Sequence, residues 1–82
     1  MSNASDFIIE NGELKKYVGH ATSVTIPAGV EAIRCEAFFH NQEIEEVFIA
    51  DSTWRISYFA FVECPNLNHV VIPKTVSMIT HV

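Results

Sequence analysis

Val24-Thr25-Ile26-Pro27-Ala28-Gly29-Val30-Glu31-Ala32-Ile33-Arg34-Cys35-Glu36-Ala37-Phe38 decides the fold, because the chain writes it again. A shift of 23 residues lays Val24 on Val47, Ile26 on Ile49, Ile33 on Ile56, Ala37 on Ala60 and Phe38 on Phe61. A second shift lays Val47 on Val70, Ile49 on Ile72 and Ile56 on Ile79. Pro27 returns as Pro73, Val30 returns as Val76, and Ile44 precedes the second copy as Leu67 precedes the third. A fixed period of this length means that one supersecondary unit is stacked on itself, each copy covering the apolar side of the next. The expectation is a short solenoid.

Each copy opens on a strand: Ser23 to Ile26, Glu46 to Ile49, and His69 to Ile72. Alternation along a strand points Val24, Ile26 and their equivalents inward, and Thr25, Phe48 and Val71 outward. Pro27 and Pro73 end two of these strands, since proline cannot donate to a ladder. Val30 and Ile33, then Thr53 and Ile56, carry the chain across to the other side of the coil. The Ala37-Phe38 and Ala60-Phe61 pairs fit short helical turns, with alanine allowing close approach and phenylalanine filling the middle. Trp54 shares its position with Glu31 and Ser77, which places it at least partly in solvent.

Ahead of the repeats, Phe7 to Tyr17 contains Asn11-Gly12, the pair favoured in a two-residue turn where both residues need positive φ. This stretch reads as a β-hairpin outside the 23-residue register, capping the first core layer. The expected organisation is residues 1–6 as a tag remnant or unstructured segment, 7–22 as the hairpin cap, and 23–82 as two full repeats and one partial. Ser2-Asn3-Ala4 supports the first of these, and the Asn3 sequon within it carries no weight.

These residues resemble the BspA-type leucine-rich repeats of bacterial surface proteins, whose unit runs V-x-I-P-x-x-V-x-x-I-x-x-x-A-F-x-x-C-x-x-L. Val24, Ile26, Pro27, Val30, Ile33, Ala37, Phe38 and Ile44 match it in the first copy. Val47, Ile49, Ile56, Ala60, Phe61, Cys64 and Leu67 do so in the second, and Val70, Ile72, Pro73, Val76 and Ile79 in the third. Asn41 stands where the family often has cysteine and Cys35 where it often has glycine, while Ala50 and Thr53 replace proline and valine. The expected fold class is thus α/β leaning mainly β: a short leucine-rich-repeat solenoid of short parallel strands and helical turns. The resemblance implies adhesion or protein binding at a cell surface, and it brings no catalytic motif.

Composition narrows the function further. The chain has 82 residues, 49% of them hydrophobic, and a net charge of −5. Five scattered Lys and Arg make no basic stripe for nucleic acid or an anionic membrane surface. No apolar run approaches the 18 residues of a membrane span, and the N-terminus lacks the basic and apolar regions of a signal peptide. Cys35 and Cys64 fall at different phases of the repeat, which argues against a disulfide framework. Cys35–His40 and Cys64–His69 share a spacing, but they too are out of phase, and zinc sites favour closer ligand pairs. Cys64 reads as a small buried hydrophobe. His20, His40, His69 and His81 lie at loops, repeat edges or the terminus, and no nucleophile motif accompanies them. The sequence therefore calls for no enzyme, no metal and no cofactor. Glu43, Glu45 and Glu46 read as a solvated face.

Two surfaces remain. The outward row of Thr25, Phe48 and Val71, flanked by Glu46 and His69, is the candidate protein-binding face, since exposed aromatics among polar neighbours mark such sites. Val70, Ile72, Val76 and Ile79 form an open end in the third copy, with an unpaired strand edge, and are expected to drive self-association into a homo-oligomer. Two alternatives stand beside protein binding. One is a purely structural part in a longer array. The other is a carbohydrate surface built on Trp54, Tyr58 and Phe59.

Overall fold

The computed structural model describes residues 4–80, with backbone alone at Ala4, Tyr58 and Thr80. Met1, Ser2 and Asn3, which hold most of the expected tag remnant and its sequon, and the terminal His81 and Val82, lie outside the described residues. Residues Ala4–Asp6 form a single 3-10 turn, and the Asp6 carbonyl accepts the Val18 N–H at 2.7 Å.

Among the described residues eight strands follow in order: β1 (Phe7–Glu10), β2 (Glu13–Tyr17), β3 (Ser23–Thr25), β4 (Ala32–Ile33), β5 (Glu46–Phe48), β6 (Arg55–Ser57), β7 (His69–Val71) and β8 (Met78–Thr80). They form two sheets. One is three-stranded, in the order β3-β5-β7, and the other is five-stranded, in the order β1-β2-β4-β6-β8. Apart from the β1–β2 hairpin, every pairing is parallel.

The three-stranded sheet has the register of the sequence repeat: Val24 opposite Val47 opposite Val70, and Thr25 opposite Phe48 opposite Val71. Its strands are one residue shorter than the pattern predicts. The ladder nevertheless continues one step, with Ile26 N–H donating to the Phe48 carbonyl at 2.8 Å and Ile49 N–H to that of Val71 at 3.1 Å.

The second sheet adds strands that the sequence reading did not draw. Ile33 and Ile56, expected only to carry the chain across the coil, lie in strands and with Ile79 face one another in the parallel pairs β4–β6 and β6–β8. The hairpin lies outside the 23-residue register, and its second strand extends the same sheet. β2 pairs with β4, placing Leu14 against Ile33. Asn11 (φ 53°) and Gly12 (φ 78°) form the turn with the two positive φ angles it needs.

No α-helix occurs among the described residues, so the helical share is smaller than an α/β reading implies. Around Phe38 alternate residues make short-range turn bonds, with the N–H groups of Ala37, Phe39 and Asn41 donating to the carbonyls of Arg34, Glu36 and Phe38, each at 3.2 Å. Tyr58–Phe61 is a 3-10 turn. Phe38 N–H ties the two turns together by donating to the Ala60 carbonyl, and Tyr17 N–H at the end of β2 donates to that of Ala37, both at 2.8 Å.

Inside, an aromatic column runs through the molecule. Ring centroids are separated by 5.1 Å for Phe7–Tyr17, 5.3 Å for Tyr17–Phe38 and 5.1 Å for Phe38–Phe61, the last pair stacked at 15°. Leu14, Ile33, Val24, Val47 and Ile44 enclose it and are fully buried. Thr53 takes a valine position without leaving a polar group unsatisfied. Its Oγ1 donates to the Val30 carbonyl one turn earlier at 2.8 Å.

Candidate functional site

The outer face of β3-β5-β7 follows directly from strand alternation. With Val24, Val47 and Val70 turned inward, their neighbours must point out. Thr25, Phe48, Val71 and His69 are exposed and Glu46 is half-buried. Pairing sets Thr25, Phe48 and Val71 in one row, and Ser23, Glu46 and His69 in the next. The Phe48 and His69 rings are 6.4 Å apart and tilted at 56°. The face is therefore a small apolar centre, Phe48 with Val71, bordered by hydroxyl, carboxylate and imidazole groups.

Of the four residues expected at the end of the third copy, Val70, Ile72 and Ile79 line one cleft and Val76 does not. Ile72 and Ile79 are exposed, Val70 and Val76 are half-buried, and a cleft of about 230 Å³ is lined by Ile56, Ser57, Phe61, Val70, Ile72 and Ile79. Trp54 is exposed, as its repeat position requires, and the Arg55 guanidinium lies 5.7 Å from its ring centroid. Phe59 is exposed too.

Several of the remaining chemistry-bearing residues make structural contacts. Cys35 is exposed and Cys64 half-buried, both with free thiols. Cys64 is more than a space-filler, because its Sγ donates to the Phe38 carbonyl at 2.9 Å, and burial raises its pKa. Asn41, one repeat earlier, works differently: its Oδ1 accepts the N–H groups of Glu43 and Ile44. Among the described residues no three His, Cys, Asp or Glu side chains converge as a metal-ligand group.

Two histidine–carboxylate contacts, along with the Lys15–Glu10, Arg34–Glu13 and Arg55–Glu13 ion pairs, escaped the sequence reading. His20 Nδ1 lies 2.6 Å from Glu43 Oε1, and His40 Nδ1 lies 3.0 Å from Glu63 Oε1. Both partners are 23 positions apart, so the repeat itself signals them once side chains are compared between copies as well as within one. His40 and Glu63 both end their helical turns in the left-handed region, with φ of 60° and 58°.

The His20 pair makes a pH-dependent contact. Its hydrogen bond to Glu43, and then the charge of that carboxylate, hold the imidazole pKa above its ordinary 6.5. A raised folded-state value means that the pair's contribution is fully present below pH 6.5 and fades as pH rises through the raised pKa. An NMR titration should give His20 a pKa above 6.5, falling back toward it in Glu43→Gln. A midpoint at or below 6.5 in the parent protein would refute the contact.

A search of curated proteins finds no match for this chain. A family model does match: the BspA type Leucine rich repeat region (6 copies), over residues 8–81. That span covers the hairpin and every repeat, in agreement with the single stack they share. The chain belongs to the BspA-type leucine-rich repeat family.

Proposed function

We propose that this chain is a non-catalytic module for protein–protein interaction, and that it binds through the outer face of β3, β5 and β7. In this reading the two sheets are the sides of a short solenoid, and the three-stranded side is the one that meets a partner. The observation that carries it is the exposed Phe48 beside the exposed Val71, with Thr25, Glu46 and His69 around them. An apolar centre with a polar rim is how protein interfaces concentrate binding energy. The adhesive, cell-surface setting rests on the family alone.

Exposed Trp54 and Phe59 support a second reading, a stacking platform for a sugar, which binding on a glycan array would favour. Arg55 already lies over the Trp54 ring, however, which leaves that platform less free than the Phe48 face.

The immobilised chain should capture a protein from host or bacterial lysate, and each captured protein can then be purified and titrated calorimetrically. Replacing Phe48 by Ala together with Val71 by Glu is expected to weaken binding by roughly 30-fold or more, the loss typical of hot-spot residues. Undiminished binding by that double variant would show that the face is wrongly assigned.

A further inference from the structure

The charges of this chain separate by side once it is folded. Four of its five lysines and arginines belong to the five-stranded sheet: Lys15 and Lys16 in β2, Arg34 directly after β4, and Arg55 in β6. The carboxylates there are answered within the sheet. Glu10 Oε1 lies 2.6 Å from Lys15 Nζ, and Glu13 takes Arg55 at 3.1 Å on one oxygen and Arg34 at 3.7 Å on the other.

The three-stranded side is the reverse. The stretches that carry β3 and β5, Val18 to Val30 and His40 to Trp54, hold no lysine or arginine, and the second holds Glu43, Glu45, Glu46 and Asp51. Lys74, the fifth basic residue, follows β7 one repeat on from Asp51. Glu43 meets His20, but among the described residues Glu45, Glu46 and Asp51 have no cationic side chain within 4 Å. Glu46 shares the outward face with Phe48, since the two alternate with the buried Val47. β5 is paired on both sides, so Phe48 is exposed by the direction it points and by nothing missing beside it.

An aromatic ring beside uncompensated carboxylates selects its ligand by charge. A protein segment that seats an apolar side chain on Phe48 can bring lysine or arginine to Glu45 and Glu46. A guanidinium passing over the Phe48 ring gains from the ring's negative face as well. An acidic segment meets like charge, and a neutral one leaves the carboxylates without partners.

We propose that the partner of the Phe48 face is a cationic polypeptide segment, with an apolar anchor flanked by lysine or arginine. This rests on the reading of that face as the interface, and adds the chemical class of what binds there. The anchor supplies contact with Phe48 and Val71, while the flanking cations set the choice of partner and speed its arrival.

A random-peptide display library, selected against the immobilised chain, tests both the class and the place. Enriched peptides should carry an aliphatic or aromatic residue flanked by lysine or arginine, with more positive charge than the unselected library. For a synthetic copy of the leading peptide, Phe48→Ala should weaken binding roughly 30-fold. Glu45→Gln with Glu46→Gln should weaken it roughly 5-fold, as the loss of two exposed ion pairs would. Binding to the parent chain should fall as salt rises, and the fall should be shallower in the double glutamine variant. If circular dichroism shows that variant misfolded, Glu45→Gln alone takes its place, with an expected loss of roughly 2-fold. Neutral or acidic peptides that are lost on Phe48→Ala would overturn the charge assignment and leave the face standing. Cationic peptides indifferent to Phe48→Ala, or no enrichment at all, would overturn both. A mass that doubles with concentration in light scattering, and reverts in Phe48→Ala, would give the face to a second copy instead.

Discussion

Phe38→Ala should lower the free energy of unfolding by about 3–5 kcal/mol, the range for truncating a fully buried phenylalanine. Its ring lies between Tyr17 and Phe61 in the aromatic column, so three successive turns lose contacts at once. The void cannot close cheaply, because the backbones around it are fixed. Tyr17 N–H is bonded to the Ala37 carbonyl, and Phe38 N–H to that of Ala60, both at 2.8 Å. A domain of this size typically has only ~5–15 kcal/mol in hand. At about 4–8 °C per kcal/mol, the midpoint of a thermal melt should fall by at least ~12 °C. A loss below ~1 kcal/mol would mean that the column is not the centre of the core.

Leu14→Ala is the sharper test of how the hairpin is attached. Leu14 is fully buried, pairs with Ile33 and accepts the Arg34 N–H at 3.0 Å, so truncation should cost ~2–5 kcal/mol. What matters is where the cost is felt. Trp54 lies in the second repeat, its N–H bonded to the Glu31 carbonyl at 2.9 Å, and its fluorescence reports on that repeat. If the hairpin is the first layer of one cooperative stack, urea curves from Trp54 fluorescence and from far-UV circular dichroism should shift together. A detachable cap would give a different result: an early transition in the dichroism, with the Trp54 curve unmoved.

The three-stranded sheet was legible because its residues declare themselves. Val24, Val47 and Val70 recur at one spacing, and alternation then fixes Phe48 and Val71 on the outside. The five-stranded sheet was not legible, although Ile33, Ile56 and Ile79 recur at the same spacing. Its repeat strands have two or three residues, Ala32–Ile33 being the shortest, and alternation over so few positions gives no strand signal. The hairpin itself was legible from Asn11-Gly12, but its pairing with β4 was hidden for another reason. Leu14 faces Ile33 across a step of 19 residues, so a search at 23 passes over it. The outward face could be drawn in advance, whereas the His20–Glu43 and His40–Glu63 contacts could not. Residues at the corners follow no alternation, and only a comparison from copy to copy brings them together.

The constant step between the paired strands of successive repeats also bears on how fast such a chain can fold. No pairing in either sheet spans more than 23 residues: Val24 to Val47, Val47 to Val70, Ile33 to Ile56 and Ile56 to Ile79 all have that separation. Closing a loop of that length costs about 2.8 kcal/mol beyond a constant, and the cost is the same for every turn added. In most β architectures a larger sheet brings more distant partners, and folding slows as their average separation grows. Here a longer array would contain more closures but none harder than those in this chain. Each turn, once formed, offers the next segment an edge on which to close.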